Sequence, residues 1–343
     1  MRYLRNFLLS AFVTLALAAC SKGGKTTLSS TLQEDLAKLP QDVQSVFYAD
    51  VQSLQNSELG KECRKMFDSA MAHREHHDED YKKIMEATGF DPEKDLHSIL
   101  VAMQAGLDEN GDSTEHMDGA AFAIIKGNFD ESKIVAHIQA KEQEKGKHEL
   151  VIESYNGKTL YTGPREKFAA YFANVNTVIA GKQDWVKMVI DNQLEGKGLT
   201  SNSGMMGLIS QLPHKEQLWA VGMPGKLMER MAAELSKHED FKGGHALRSL
   251  QSGMLSARVN AEADIWATAK CSTEEASRLM ADAIKGALAM AKLAVSDDRE
   301  MVDMLNRFEI EATGAEVNFT GKVDKAFIEK LKEKQAEKRM ALL

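Results

Sequence analysis

Three stretches of this 343-residue chain recur later in the same order, and that repetition restricts the fold more than any other feature. Leu39-Pro40 followed by QDVQSVFYADVQSL aligns with Leu212-Pro213 followed by HKEQLWAVGMPGKL at an offset of 173, with Gln44 over Gln217 and Leu54 over Leu227. DLHSILVAMQ, from Asp95, aligns with SLQSGMLSAR, from Ser249, at an offset of 154. At an offset of 144, Phe122-Ala123 falls on Trp266-Ala267, Lys126 on Lys270 and Asp130-Glu131 on Glu274-Glu275. Offsets that drift while order is kept describe equal units with unequal loops. The competing reading is chance similarity between amphipathic segments.

Within each unit the first stretch reads as an apolar strand leading into a helix, the second as a strand, and the third as a strand that ends at the lysine before a helix. Ser272 with Glu275 makes a capping box, and Asn128 with Glu131 a looser one. The helix after Ser272 carries Ala276, Leu279, Met280, Ala283, Ile284, Ala287 and Ala291 at three-four spacing, which predicts one apolar face. A hairpin closes each unit. Residues 149–155 turn at Asn156-Gly157, a pair suited to positive φ, into 158–162; Phe308, Ile310 and Ala312 turn near Gly314 and return through Val317 and Phe319.

The first six elements of each unit therefore have the βαββαβ order of a ferredoxin-like split unit. The expected fold is α+β, a tandem duplication of that unit with mostly antiparallel sheets and helices packed on one face. Its repeats occupy 31–163 and 212–343, the second ending in a helix capped by Asp324. Between them, 164–211 holds a bridging hairpin and a helix with Trp185, Val186, Val189 and Ile190. The connection 192–202, with Gly196 and Gly198, is expected to be exposed and mobile.

Composition narrows the function. Only 5 prolines and 24 glycines, with 43% hydrophobic residues, exclude wholesale disorder. A net charge of −8, with no long basic run outside the C-terminal tail, argues against a nucleic-acid binder, because neutralising phosphates needs clustered Lys and Arg.

The first 19 residues carry Arg2 and Arg5, an apolar run over 7–16 that is shorter than a membrane span, and then small residues. They end in Leu17-Ala18-Ala19-Cys20, which resembles the lipobox of bacterial lipoproteins, where the signal is cut before the cysteine and the cysteine is acylated. The resemblance implies a signal peptide over 1–19, a lipidated Cys20 as the mature N-terminus, and a flexible tether over 20–30. Losing Arg2 and Arg5 leaves the mature chain at −10, so the lipid rather than charge would hold it to the membrane. The expected location is the bacterial cell envelope. Ser21 after the cysteine favours the outer membrane, facing the periplasm or the exterior.

Two cysteines remain, Cys63 and Cys271. Cys63 shares a helical face with Leu59, Met66, Phe67 and Ala70, the pattern of a small buried hydrophobe, and a bridge between the two is the competing reading. Metal-type ligands concentrate only in HREHHDED, where His73 and His77 lie four apart and would share a helix face. Charges of both signs and the lack of a HExxH order favour a solvated helix end instead. The loop DENGDSTE offers oxygen donors at Asp108, Asn110 and Asp112, as in the first half of a calcium loop. It has Ser113 where the turn needs glycine and Gly119 where the bidentate glutamate belongs, so a polar hairpin loop is the default. No GxSxG elbow, Walker loop or Rossmann glycine pattern is present, and no cofactor is expected.

The stretch Thr88-Gly89-Phe90-Asp91-Pro92-Glu93-Lys94-Asp95-Leu96, a helix stop, a turn and a strand, resembles a segment of exported bacterial proteins of duplicated α+β build that have no established activity. That likeness implies architecture and transfers no site. The function expected from these features is a lipid-anchored, non-catalytic binding or interaction module of the envelope. Its partner would be another envelope protein or a small ligand. The alternative is an envelope hydrolase with a site between the two repeats.

Overall fold

The computed structural model describes residues 27–71, 75–104, 121–144, 146, 150–163, 168–223 and 248–340. They gather into two units: an N-terminal unit of 28–55 with 67–207, and a C-terminal unit of 56–66 with 208–343. Both are α+β and built on large antiparallel sheets.

At the start of the N-terminal unit, the Ser29 hydroxyl accepts from the Leu32 amide and opens α1 (Ser30–Ala37), which turns Leu32 and Leu36 inward. After β1 (Ser45–Asp50) the chain passes through α2 (Val51–Asn56), α3 (Glu58–Met71), α4 (Glu75–Thr88) and the single turn α5 (Pro92–Asp95). Gly89, at φ +67, ends α4, and Asp91 caps α5 with Pro92 at its first position. Then come β2 (Leu96–Met103), β3 (Ala121–Gly127), α6 (Glu131–Glu144), β4 (Val151–Tyr155), β5 (Lys158–Thr162), β6 (Phe168–Asn174), β7 (Thr177–Lys182) and α7 (Gln183–Ile190). The strands lie in the order β1-β2-β3-β7-β6-β5-β4, each antiparallel to its neighbour.

Residues directly opposite in an antiparallel pair share a face. Val46, Ala102, Phe122, Gly181, Ala169 and Thr162 form one buried row across the sheet. Trp185 of α7 packs edge-on to Phe122 at 4.7 Å, and its Nε1 donates to the Lys38 carbonyl at 2.9 Å. A Cβ on Gly181 would lie 2.7 Å from the Trp185 ring and 2.8 Å from Phe122, so only glycine lets that ring settle on the sheet.

The C-terminal unit follows α8 (Ser203–Gln211) and contains β8 (Leu218–Gly222), β9 (Leu250–Val259), β10 (Glu262–Cys271), α9 (Glu274–Ala294), α10 (Arg299–Leu305), β11 (Glu309–Thr313), β12 (Glu316–Asp324) and α11 (Lys325–Met340). Its strand order is β8-β9-β10-β12-β11, again antiparallel throughout. Helix α9 lies against β10, β11 and β12 and buries Ser277, Met280, Ala281 and Leu288. Phe308 stacks on Phe319 at 5.7 Å and meets Phe327 of α11 edge-on at 5.9 Å.

The strand registers follow the sequence offsets. Ser45 opposes Met103 in the first unit and Leu218 opposes Ala257 in the second, pairs related by 173 and 154. Ala102 opposes Phe122, and Ser256 opposes Trp266, related by 154 and 144.

Several expectations change. The split unit would hold its first two strands parallel with another strand between them, but β1 pairs directly and antiparallel with β2, as β8 does with β9. A single crossover helix would deliver the chain to the far end of the sheet; here β2 enters at the end that β1 left, after several helices. A split arrangement survives later in each unit: β3 and β6 run parallel with β7 between them, as β10 and β11 do with β12 between them. By position beside β10, the β11–β12 hairpin corresponds to β6–β7 and not to β4–β5, so 168–182 forms part of the first sheet rather than a bridge.

Helices are not gathered on one face. Trp185 covers Phe122, while Glu131 of α6 bonds Tyr161 on the opposite face. The caps fall later than read: Thr273 accepts from the Ala276 amide at 3.1 Å, and Asp130 accepts from Lys133. The connection 192–202 is pinned, with Leu194 and Leu199 buried, Gly198 bridging Pro40, and the Leu199 amide donating to the Leu39 carbonyl at 2.8 Å.

Candidate functional site

The second face of the N-terminal sheet is apolar but left half open. Register places Phe47, Val101, Ala123, Ala180, Ala170, Tyr161 and Ile152 in one row across all seven strands. The next row is Ala49, Ile99, Ile125, Val178 and Phe172. Apart from buried Ala49 and the exposed edge residue Ile152, every member is half-buried. The cause lies in the helix that follows β3. Helix α6 buries none of its residues and has α4 as its main neighbour, whereas α9, which follows β10, is seated on its sheet.

Three successive alanines, on β3, β7 and β6, lower the middle of the first row between Val101 and Tyr161. With strands about 4.8 Å apart, that floor is about 10 Å long. Aromatic rings line one end: Phe90 stacks on Phe129 at 5.2 Å, Phe129 meets Phe172 at 6.2 Å, and Phe172 meets Tyr161 at 6.0 Å. The Tyr161 hydroxyl donates to Glu131 at 2.6 Å, and burial together with that carboxylate pushes its pKa up to about 12. Such a surface can hold an alkyl chain or a ring by dispersion and water release, with little polar demand.

The C-terminal unit holds a polar cluster instead. Asp264 is buried, 2.6 Å from Arg258 and 3.2 Å from Lys322. Among the described residues, buried His214 and Ser256 find no hydrogen-bond partner for Nε2 and Oγ. Burial, then the Arg258 charge, holds His214 below the usual histidine range, so its imidazole is neutral near pH 7. Ser256 is 0% exposed, which leaves a substrate no path to its hydroxyl. A small cavity of about 210 Å³, lined by Ala37, Lys38, Val189, Asn192, Leu194 and Glu195, is below the usual ligand-pocket range.

Of the residues singled out from sequence, Cys20, His73, Asp108, Asn110 and Asp112 lie outside the described residues. His77 falls on α4. Among the described residues no group of three or more His, Cys, Asp or Glu side chains could hold a metal ion. Cys63 and Cys271 are not joined in a disulfide; Cys63 is half-buried and Cys271 is buried 4.0 Å from the Met280 sulfur. Among the described residues no helix is long and apolar enough to cross a membrane. The sequence reading missed the apolar face. The run AFAIIKG in β3 carried the signal, because both of its faces are apolar and only one is closed.

No family model matches the chain, and no curated protein matches it. Among solved structures, crystal form III of TP0453 is similar at a TM-score of 0.43 and 9% identity, covering 85% of this chain and 95% of that one. Crystal form IV gives 0.41 and 10% identity over 87% and 94%, and crystal form I gives 0.40 and 9% over 85% and 94%.

Proposed function

We propose that this protein is a lipoprotein of the bacterial cell envelope, tethered by an acylated Cys20, and that it is a non-catalytic binding module for an apolar ligand. Its body is a tandem duplication of one β-α-β-β-α-β-β unit. The agreement between sequence offsets and strand registers supports that history. In the first copy the β4–β5 hairpin is an addition.

The half-open apolar face carries the reading. A soluble domain normally closes such a face with a helix, as α9 does in the second unit. Leaving Ala123, Ala180 and Ala170 as a shallow trough beside half-buried Val101, Ile125 and Phe172 costs burial energy, and an acyl chain laid along it would recover that energy.

Titration of the purified chain with fluorescent palmitate tests this. Saturable binding is expected, weakened roughly tenfold or more by Ala123→Phe, which fills the trough, with thermal unfolding as the check on folding. Equal binding by the variant would place the ligand elsewhere.

A further inference from the structure

The open face of the N-terminal sheet continues by one more row, on the side away from the stacked aromatic rings. Side chains two residues apart on a strand share a face, so Met103 follows Val101, Ala121 precedes Ala123, Lys182 follows Ala180 and Phe168 precedes Ala170 on that surface. Register sets Met103 opposite Ala121 and Lys182 opposite Phe168. Met103 is 48% exposed and Phe168 52%, and the Lys182 side chain is 55% exposed. Among the described residues of the three rows, Lys182 carries the only charge.

The trough therefore has unlike surroundings on its different sides. Beside Ile125 stand the rings of Phe172, Phe129 and Phe90, which offer a polar head nothing. At the β5 end the Tyr161 hydroxyl already donates to Glu131, whose carboxylate repels an anion. On the remaining side is an ammonium on a long stem, and such a stem can lie along apolar surface while its charge stays in water. Asp184 approaches the Lys182 ammonium only to 3.8 Å and is itself 80% exposed, so water screens that pair and an anionic head can compete for the cation. From Lys182 back to Val178 the strand covers four residues, about 13 Å of apolar surface for a chain.

We propose that the ligand is an alkyl amphiphile with an anionic head, a carboxylate or a phosphate ester, seated with the head on Lys182 and the chain over Ala180 toward Ile125 and Phe172. This assignment rests on the trough being the binding site. A cationic head is repelled by Lys182, and a neutral one forgoes the ion pair.

Calorimetric titration of the full chain with laurate, monododecyl phosphate and dodecanol tests it, near pH 8, where lysine and both acids are charged. Each anion should bind roughly threefold to fivefold more tightly than dodecanol, the advantage of a solvent-screened ion pair, and added salt should shrink that margin. Lys182→Gln should erase the margin while dodecanol binds as before, and Lys182→Arg should restore it, with thermal unfolding confirming that each variant folds. A margin for laurate alone, or for the phosphate alone, names the head that the site takes. Equal binding of all three by the wild type, weakened throughout by Ala123→Phe, would overturn the head assignment and leave the trough standing. A margin that survives Lys182→Gln would also overturn it, by placing the head elsewhere. No saturable binding of any of the three would instead refute the trough itself.

Discussion

Gly181 and Tyr48 show how single residues carry the N-terminal unit. Any side chain at Gly181 drives into Trp185 and Phe122, which are locked by the Trp185 bond to Lys38. Gly181→Ala should therefore destabilise by about 1–3 kcal/mol, the usual cost of overpacking, measured by urea unfolding. Gly253→Ala, where a Cβ meets open space, should stay within about 0.5 kcal/mol. Burial, then Asp50 and Asp35, pushes the Tyr48 hydroxyl up to about 12, and Tyr161 likewise reaches about 12. In this case the folded state holds the protons more tightly than the unfolded chain. Their contribution is fully present below about pH 10 and is lost as pH rises from there through about 12. Stability should be flat for these groups at neutral pH and fall across that alkaline window, and Tyr48→Phe should flatten part of the fall.

At the level of elements, much was legible, and the failures share a cause. Strand positions followed from the recurring apolar stretches, whereas the registers, in which a one-residue slip would turn every apolar side chain to the wrong face, came only with the structure. Which hairpin sits beside which strand did not follow: β4–β5, β6–β7 and β11–β12 all alternate, and pairing is a tertiary choice. The apolar face escaped notice because a strand apolar on both sides reads as fully buried. The helix start was missed by one residue where Ser272 and Thr273 are both competent caps. Since Thr273 makes the bond, Thr273→Ala should cost about 0.5–2 kcal/mol in a thermal melt and Ser272→Ala much less. The connection 192–202 was read from its glycines as free, but Leu194 and Leu199 anchor it. Trypsin should cut after Lys197 quickly only where denaturant unfolds this unit; rapid native cleavage there would show the anchors to be ineffective.

For the whole molecule, the stretch SKGGKTTLSS after Cys20 has little to bury, so the acyl chains proposed at Cys20 should anchor without stabilising. Cys20→Ala is expected to leave the melting temperature unchanged and move the protein from the membrane fraction to the soluble one. Retention after a high-salt wash would point to a different attachment. The central claim, that the open face of the N-terminal sheet receives an apolar chain, is tested most directly by photolabelling. Palmitate carrying a diazirine at its far end, irradiated with the native protein and mapped by mass spectrometry, should mark peptides of β2, β3, β7 and β6, around Val101, Ala123, Ile125 and Phe172, and excess unlabelled palmitate should suppress the marks. Labelling confined to the C-terminal unit, or spread without competition over the surface, would contradict it.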